Sequence, residues 1–405
     1  MSLKILLITG NYLPGKNGGI ENYTHWLATI LLEHHFKVEV AALNVTEPES
    51  YVYEGVKVNN LKSSFSSFDA LLKQGNFDIC HFQEYSEYGG IEIPWFIKAK
   101  EYGSKVFFTF HLPYLTCYKG DFRYKGIEDC NTFSNVLRCT ECVIAEKIGY
   151  KKAGQSKSYL SLMVALMNIT GQKKKLRERI VSKYQQLNEL IETCDHLFIY
   201  AGWFKNILFE NGYKDPSIKK IPYKTKTTFT GSDVVRNNSI KNKILFVGRI
   251  QHQKGLHLLC KAMNDLTAKD IQLDVYGNIV NQDYYDQCIK NYEFNFKGTT
   301  SHLRLLEVLK EYDFLVLPSV FTEMYSMILK DAFYEGIPLI ASSAKGNRYA
   351  ISDGVNGFLF SYGDAKALAL TIDKAYSLKK KGWSPTFTYS ENPEKDIEEI
   401  VSYYC

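Results

Sequence analysis

The chain has 405 residues, too many for one comfortable core and enough for about two domains of ordinary size. Hydrophobic residues make up 45% and charged residues 23%, a globular balance that excludes wholesale disorder. Lys and Arg number 49 against 44 Asp and Glu, and the resulting net charge of +5 is too mild to point to nucleic acid.

Leu3–Thr9 is a continuous apolar run, too short for a signal-peptide core, and reads as a buried first strand. The loop Gly10 to Gly19 leads into a helical pattern from about Ile20 to Leu32, with Trp26, Leu27, Ile30 and Leu31 on one face. Lys37–Leu43, Phe77–Phe82, Val106–Phe110 and Asp195–Ala201 are further runs of the buried-strand type. Strands separated by helices predict a parallel sheet covered on both faces. The apolar stretch Tyr159–Ile169 is far short of the roughly 20 residues that span a bilayer. The expected location is therefore the cytoplasm, at the inner face of a membrane at most.

A polar stretch, Lys224 to Lys243, interrupts the pattern and reads as a connection. The alternation then restarts. Ile244–Val247, Ile271–Tyr276, Phe294–Phe296, Phe314–Leu317 and Pro338–Ala341 are predicted strands, and Gly255–Ala262, His302–Lys310 and Ser326–Tyr334 predicted helices. The expected organisation is a first domain over 1–223 with an insertion at about 115–185, a linker over 224–242, a second domain over 243–388, and a terminal helix over 389–405 packing back on the first domain. Two doubly wound α/β domains are predicted, with a ligand at the carboxyl ends of their strands.

Four pieces carry chemistry. Gly18-Gly19-Ile20-Glu21 follows the first strand and opens a helix. Two glycines let backbone approach a phosphate, and the helix start offers free N–H groups; a simple turn is the plainer alternative. His111 stands just past the Val106–Phe110 strand, though a lone histidine is as often structural. Phe246-Val247-Gly248-Arg249 with Lys254-Gly255 puts two cations, five residues apart, on a loop that leaves a strand and opens a helix. A diphosphate leaving group gains negative charge as its glycosidic bond breaks, and a fixed guanidinium and ammonium stabilise it. Glu323 lies in the loop after Leu317 and Asp331 inside the next helix: the loop acid suits a sugar, the helix acid a ribose. Tyr325, Ser326 and Met327 form the helix entrance, whose N–H groups suit phosphate. A solvated loop, a helix cap and a surface acid are the bland readings of the same residues.

Taken together these residues resemble the retaining GT-B glycosyltransferases of family GT4, from Leu3 to about Leu368. The best-matched parts are GGIE at Gly18–Glu21, FVGR with KG at Phe246–Gly255, and Leu317 to Ala341, with Asp353-Gly354 and Asn356–Leu359 also fitting. The resemblance implies an α/β GT-B fold, two Rossmann-like domains facing across a cleft. It implies a hexose-type sugar moved from a UDP- or GDP-sugar donor to a glycan or polyprenyl-linked acceptor, as in O-antigen, lipopolysaccharide or capsule biosynthesis. Arg249 and Lys254 would hold the donor diphosphate, Glu323 the donor sugar and the second acid the ribose. His111 would lie beside the transferred sugar and Gly19 would approach the phosphates. No catalytic metal is expected. Retention through front-side attack and an oxocarbenium-like transition state is implied. The sequence departs from the family pattern at Asp331, a Glu elsewhere, at Lys345-Gly346-Asn347-Arg348, where a Gly-Gly-x-x-Glu run is usual, and after Ile221-Pro222, where the usual Asn-Gly is missing. A non-catalytic sugar-nucleotide-binding protein, a sugar-nucleotide epimerase and a phosphorylase are the alternatives; intact Arg249, Lys254 and Glu323 favour transfer.

Nine cysteines include a local group, Cys117, Cys130, Cys139 and Cys142, whose last pair has C-x2-C metal-ligand spacing. A structural zinc and four ordinary thiols are both open. From Lys147 to Lys183 the chain is locally basic, with apolar residues interleaved between Tyr159 and Met167. It reads either as an interfacial helix pair meeting anionic lipid or as a core-packing helix with a solvated basic turn.

Overall fold

The computed structural model describes residues 2–405 apart from 17, 46–48, 87–89, 127, 134, 148–161, 163, 164, 166–170, 215, 216, 222–238, 325 and 388–392. The chain divides into two compact units, Met1–Thr227 with Glu391–Cys405, and Thr228–Ser390. Most of the expected linker falls outside the described residues.

Unit 1 carries β1 (Lys4–Thr9), β2 (Lys37–Ala42), β3 (Tyr51–Tyr53), β4 (Val56–Asn60), β5 (Ile79–Phe82), β6 (Lys105–Thr109), a small separate hairpin of β7 (Arg123–Tyr124) and β8 (Glu128–Asp129), then β9 (His196–Ile199) and β10 (Ile218–Lys220). Its main sheet has the order β10-β9-β6-β5-β1-β2-β4-β3. Every pairing is parallel except β3 with β4. Ile5 to Ile8 are fully buried because helices cover both faces, which is why β1 reads as an unbroken apolar run. The chain winds outward from β1 through β2 to β4, then returns on the other side of β1 as β5. The direction of winding therefore reverses between β1 and β5.

The terminal helix Pro393–Ser402 belongs to unit 1. Just past it, Tyr404 is buried among His81, Phe107 and Phe198, and its hydroxyl hydrogen-bonds with His81 Nδ1. The basic segment is described in part. Helix Gln172–Thr193 buries Leu176, Ile180, Tyr184, Leu187, Leu190 and Ile191 and leaves Lys174, Lys175, Arg177 and Arg179 exposed. That helix packs its apolar face inward and turns a basic face outward, and most of the rest of the basic segment lies outside the described residues. Of Tyr159–Met167, only Leu162 and Ala165 are described, both exposed. No helix among the described residues is long and apolar enough to cross a membrane.

Unit 2 is a six-stranded parallel sheet: β11 (Lys243–Val247), β12 (Gln272–Tyr276), β13 (Asn295–Gly298), β14 (Phe314–Leu317), β15 (Leu339–Ser342) and β16 (Gly357–Phe360), ordered β13-β12-β11-β14-β15-β16. Alternate side chains build separate cores. Ile244, Phe246, Phe314, Val316 and Ile340 pack on one face, and Leu245, Leu315, Leu317, Leu339 and Ala341 on the other. Here the winding reverses between β11 and β14.

Element ends differ from the predicted ones for identifiable reasons. Pro338 precedes β15 because proline has no N–H to give a ladder. Asp195 precedes β9, its carboxylate accepting the Val106 N–H at 2.7 Å. The sequence reading did not anticipate the β3–β4 hairpin, β16 or helix Ala365–Lys380.

Candidate active site

Ligands of doubly wound sheets bind beyond the carboxyl ends of the strands, where the winding reverses. In unit 2 the loops leaving β11 and β14 meet at that place. The first makes the 3-10 turn His252–Lys254 and passes through Gly255 at φ +76°. A Cβ on Gly255 would stand 2.0 Å from the Pro318 carbonyl oxygen, so only glycine lets the two loops close. Val320 N–H then donates to the Gln253 carbonyl at 2.9 Å.

This closure brings Lys254 Nζ to 2.9 Å from Glu323 Oε1, although 69 positions separate them. The two side chains are 22% and 15% exposed, open to a ligand yet only partly screened by solvent. Ser319 Oγ donates to the same carboxylate oxygen at 2.9 Å. Ser342 Oγ donates to the Ser319 carbonyl at 2.8 Å, and Asn347 Nδ2 to the Ser342 carbonyl at 3.0 Å. Helix Lys345–Ala350 lies so close that a Cβ on Gly346 would be 2.3 Å from the Glu323 carbonyl oxygen. The run that departs from the family pattern therefore still braces Glu323, through Gly346 and Asn347.

Arg249, on the same loop as Lys254, is exposed and has no hydrogen bond or ion pair among the described residues. Asp331, in helix Met327–Tyr334, bonds His302 Nε2 at 2.9 Å rather than Lys254 or Glu323. Ser326 flanks that helix, buried, and Met327 is its first residue. Tyr325 lies outside the described residues.

Unit 1 has its own crevice at the β1/β5 reversal, a cavity of about 250 Å³. Gly10 reaches it from β1, Gln83 and Glu84 from β5, and His111 from β6. Helix Gly19–Glu33 contributes Ile20 to the wall, while Gly18 flanks that helix in extended backbone and Gly19 opens it, exposed. His111 Nε2 lies 3.0 Å from Gln83 Oε1 and therefore donates, while Nδ1 is 3.5 Å from the Tyr200 hydroxyl. Burial holds the imidazole pKa down to about 3, so it is neutral near pH 7. Gln83 is 1% exposed and its Nε2 has no hydrogen-bond partner among the described residues. Such an orphan donor costs roughly 1–3 kcal/mol, which a ligand oxygen would recover. Glu84 Oε2 accepts the Gly10 N–H at 2.7 Å. Burial pushes the Glu84 carboxyl pKa up, opposed by that bond and aided by neighbouring Glu21. A Cβ on Gly10 would stand 2.1 Å from the carboxylate.

Sequence reasoning missed Gln83 and Glu84. The available signal was their place directly after a buried strand, the same signal that singled out His111. Cys117, Cys130, Cys139 and Cys142 lie together in unit 1 around a smaller cavity.

Residues 232–382 match the family model described as Glycosyl transferases group 1. An uncharacterized glycosyltransferase of Methanocaldococcus jannaschii is 23% identical over 424 residues, covering 99% of this chain and 95% of that protein. Among solved structures, sucrose-phosphate synthase from Thermosynechococcus elongatus has a TM-score of 0.64 at 14% identity, covering 99% of this chain and 98% of its own. Anabaena HepE, solved with UDP and glucose, has a TM-score of 0.61 at 12% identity, covering 99% of both chains. The fold is GT-B, built from two Rossmann-like domains, and the chain is a glycosyltransferase enzyme.

Proposed function

We propose that this enzyme is a retaining glycosyltransferase of the GT4 type, which takes a UDP- or GDP-linked hexose and passes the sugar to a hydroxyl of a glycan or polyprenyl-linked acceptor. The observation that carries the reading is the Lys254–Glu323 pair at the β11/β14 reversal, with exposed Arg249 on the same loop. As the bond from the anomeric carbon to the diphosphate breaks, its electron pair leaves with the phosphate oxygen. Lys254 and Arg249 stabilise that charge. Glu323, held by Ser319 and Lys254, faces the sugar as it gains positive character. The acceptor oxygen bonds the anomeric carbon from the face the diphosphate leaves, so configuration is kept, and its proton passes to the departing phosphate. Asp331 offers the ribose a carboxylate already oriented by His302.

The unit 1 cavity presents neutral groups suited to the hydroxyls of a sugar. At about 250 Å³ it lies below the roughly 300–1,000 Å³ usual for drug-sized ligands and suits about one sugar ring. His111, the orphan Gln83 amide and Glu84 offer hydroxyl partners of both kinds. The exposed row Lys174, Lys175, Arg177 and Arg179 suits anionic headgroups beside a lipid-linked acceptor, as in assembly of bacterial surface polysaccharide. Flotation with anionic vesicles at low salt checks that last point; failure to bind removes it.

Thermal-shift screening of UDP- and GDP-sugars, followed by acceptor-dependent nucleotide release and the anomeric configuration of the product, tests the whole reading. Donors that bind without release under any acceptor would defeat transfer. An inverted product would defeat retention alone.

A further inference from the structure

Between β6 and helix Val136–Lys147 the chain runs through a 3-10 turn, Pro113–Leu115, and the two-residue strands β7 and β8. Few ladder bonds hold such a stretch, so it depends on side-chain anchors. Cys117 follows the turn, Cys130 follows β8, and Cys139 and Cys142 stand three apart on one face of the helix. Three segments thus bring four thiols to the wall of one cavity of about 20 Å³. A space of about 10–15 Å³ or more admits one water-sized centre, so this cavity holds an atom or an ion and excludes a substrate.

None of the four is in a disulfide. Cys130, Cys139 and Cys142 donate their S–H groups to the carbonyls of Thr132, Phe133 and Arg123 at 3.1, 3.4 and 3.5 Å. In that state no group of three or more His, Cys, Asp or Glu among the described residues is arranged to hold a metal ion. Two further contacts suit a sulfur that carries charge. Lys125 N–H donates to Cys142 Sγ at 3.0 Å, and the Tyr184 hydroxyl stands 2.9 Å from Cys139 Sγ.

We propose that Cys117, Cys130, Cys139 and Cys142 close around one thiophilic divalent cation of the zinc class. Four S–H bonds give way to four metal–sulfur bonds, four protons go to solvent, no electron moves, and the centre carries a net charge of −2. Losing their protons ends the bonds to the three carbonyls, which frees the sulfurs to turn into the cavity. Lys119, Arg123 and Arg138 line the same cavity and offset the charge. Thiolates select against magnesium and calcium, and four protein donors leave no open position, so the ion is structural. It fixes the segment that begins at His111.

The test uses the full chain, loaded with one equivalent of zinc and desalted. Elemental analysis is expected to find about one zinc per chain. Native thiol titration should show four fewer reactive groups, and the melting temperature should rise on loading and fall with chelator. Cys139→Ser/Cys142→Ser should lose the metal, while Cys405→Ser, at an exposed cysteine, should keep it. Cobalt loading of the unmodified chain should give thiolate charge-transfer bands and the intense visible bands of tetrahedral coordination, a readout that needs no variant to fold. Less than ~0.1 zinc per loaded chain, zinc retained by the double variant, or cobalt spectra without thiolate bands would overturn the proposal.

Discussion

The crevices of the two units share a sheet logic and differ in electrostatics. Each lies where the winding of a parallel sheet reverses, β1/β5 in unit 1 and β11/β14 in unit 2. The unit 2 crevice presents charge: an exposed Arg249 and a Lys254–Glu323 pair backed by a chain of serines and an asparagine. The unit 1 crevice presents groups that resist charge: half-buried His111, neutral near pH 7, a half-buried Glu84 carboxyl with a raised pKa, and a buried Gln83 amide with no partner among the described residues. In doubly wound sheets the reversal marks where a ligand binds. Under the proposed function, the side chains at the loop ends suit one crevice to a diphosphate and the other to hydroxyls.

The sharpest way to break this contrast is to remove a cation. Lys254→Ala or Arg249→Ala is expected to lower turnover at least about 100-fold, with the melting temperature little changed. A near-normal rate would mean that the leaving group is stabilised elsewhere. Gly255→Ala should follow, with about 30-fold lost in turnover, because a Cβ 2.0 Å from the Pro318 oxygen at positive φ pushes the Lys254 and Glu323 loops apart. Unaltered kinetics would separate the pair from catalysis. Glu84→Gln is expected to cost about tenfold in kcat/KM for the acceptor while leaving donor binding intact. An equal loss of donor affinity would erase the division between the crevices.

The smallest effect is on stability. His111 is neutral when folded down to pH about 3, whereas the unfolded side chain binds a proton below about 6.5. Its contribution to stability is therefore complete above pH 6.5 and falls as pH drops, by up to about 1.4 kcal/mol per pH unit. Urea unfolding of His111→Asn between pH 5 and 7 should show a correspondingly shallower slope. Equal slopes would place a charged imidazole in this crevice.

Much of this was legible in the sequence. Fully buried parallel strands leave continuous apolar runs, so β1, β11 and β14 showed themselves. Arg249, Lys254 and Glu323 stood out because charges beside glycine or at strand ends are costly to place idly. Short elements such as half-exposed β3 and the four-residue β16, which opens on a glycine, left weaker patterns. Gln83 and Glu84 follow a strand read correctly, but one Gln and one Glu carry no chemical signature until β1 and β6 bring Gly10 and His111 beside them.

What the sequence determined alone is the local menu: which runs are strands, and which loops carry cations, acids and glycines. Tertiary structure decided the pairings. Sheet order placed β14 against β11 and so put Glu323 within reach of Lys254 across 69 positions. Packing around the loop after β6 gathered four cysteines about one cavity. Burial removed the charge from His111. The physical reason is that desolvation and contact depend on what the fold brings near a residue, and neighbours distant in sequence leave no local trace.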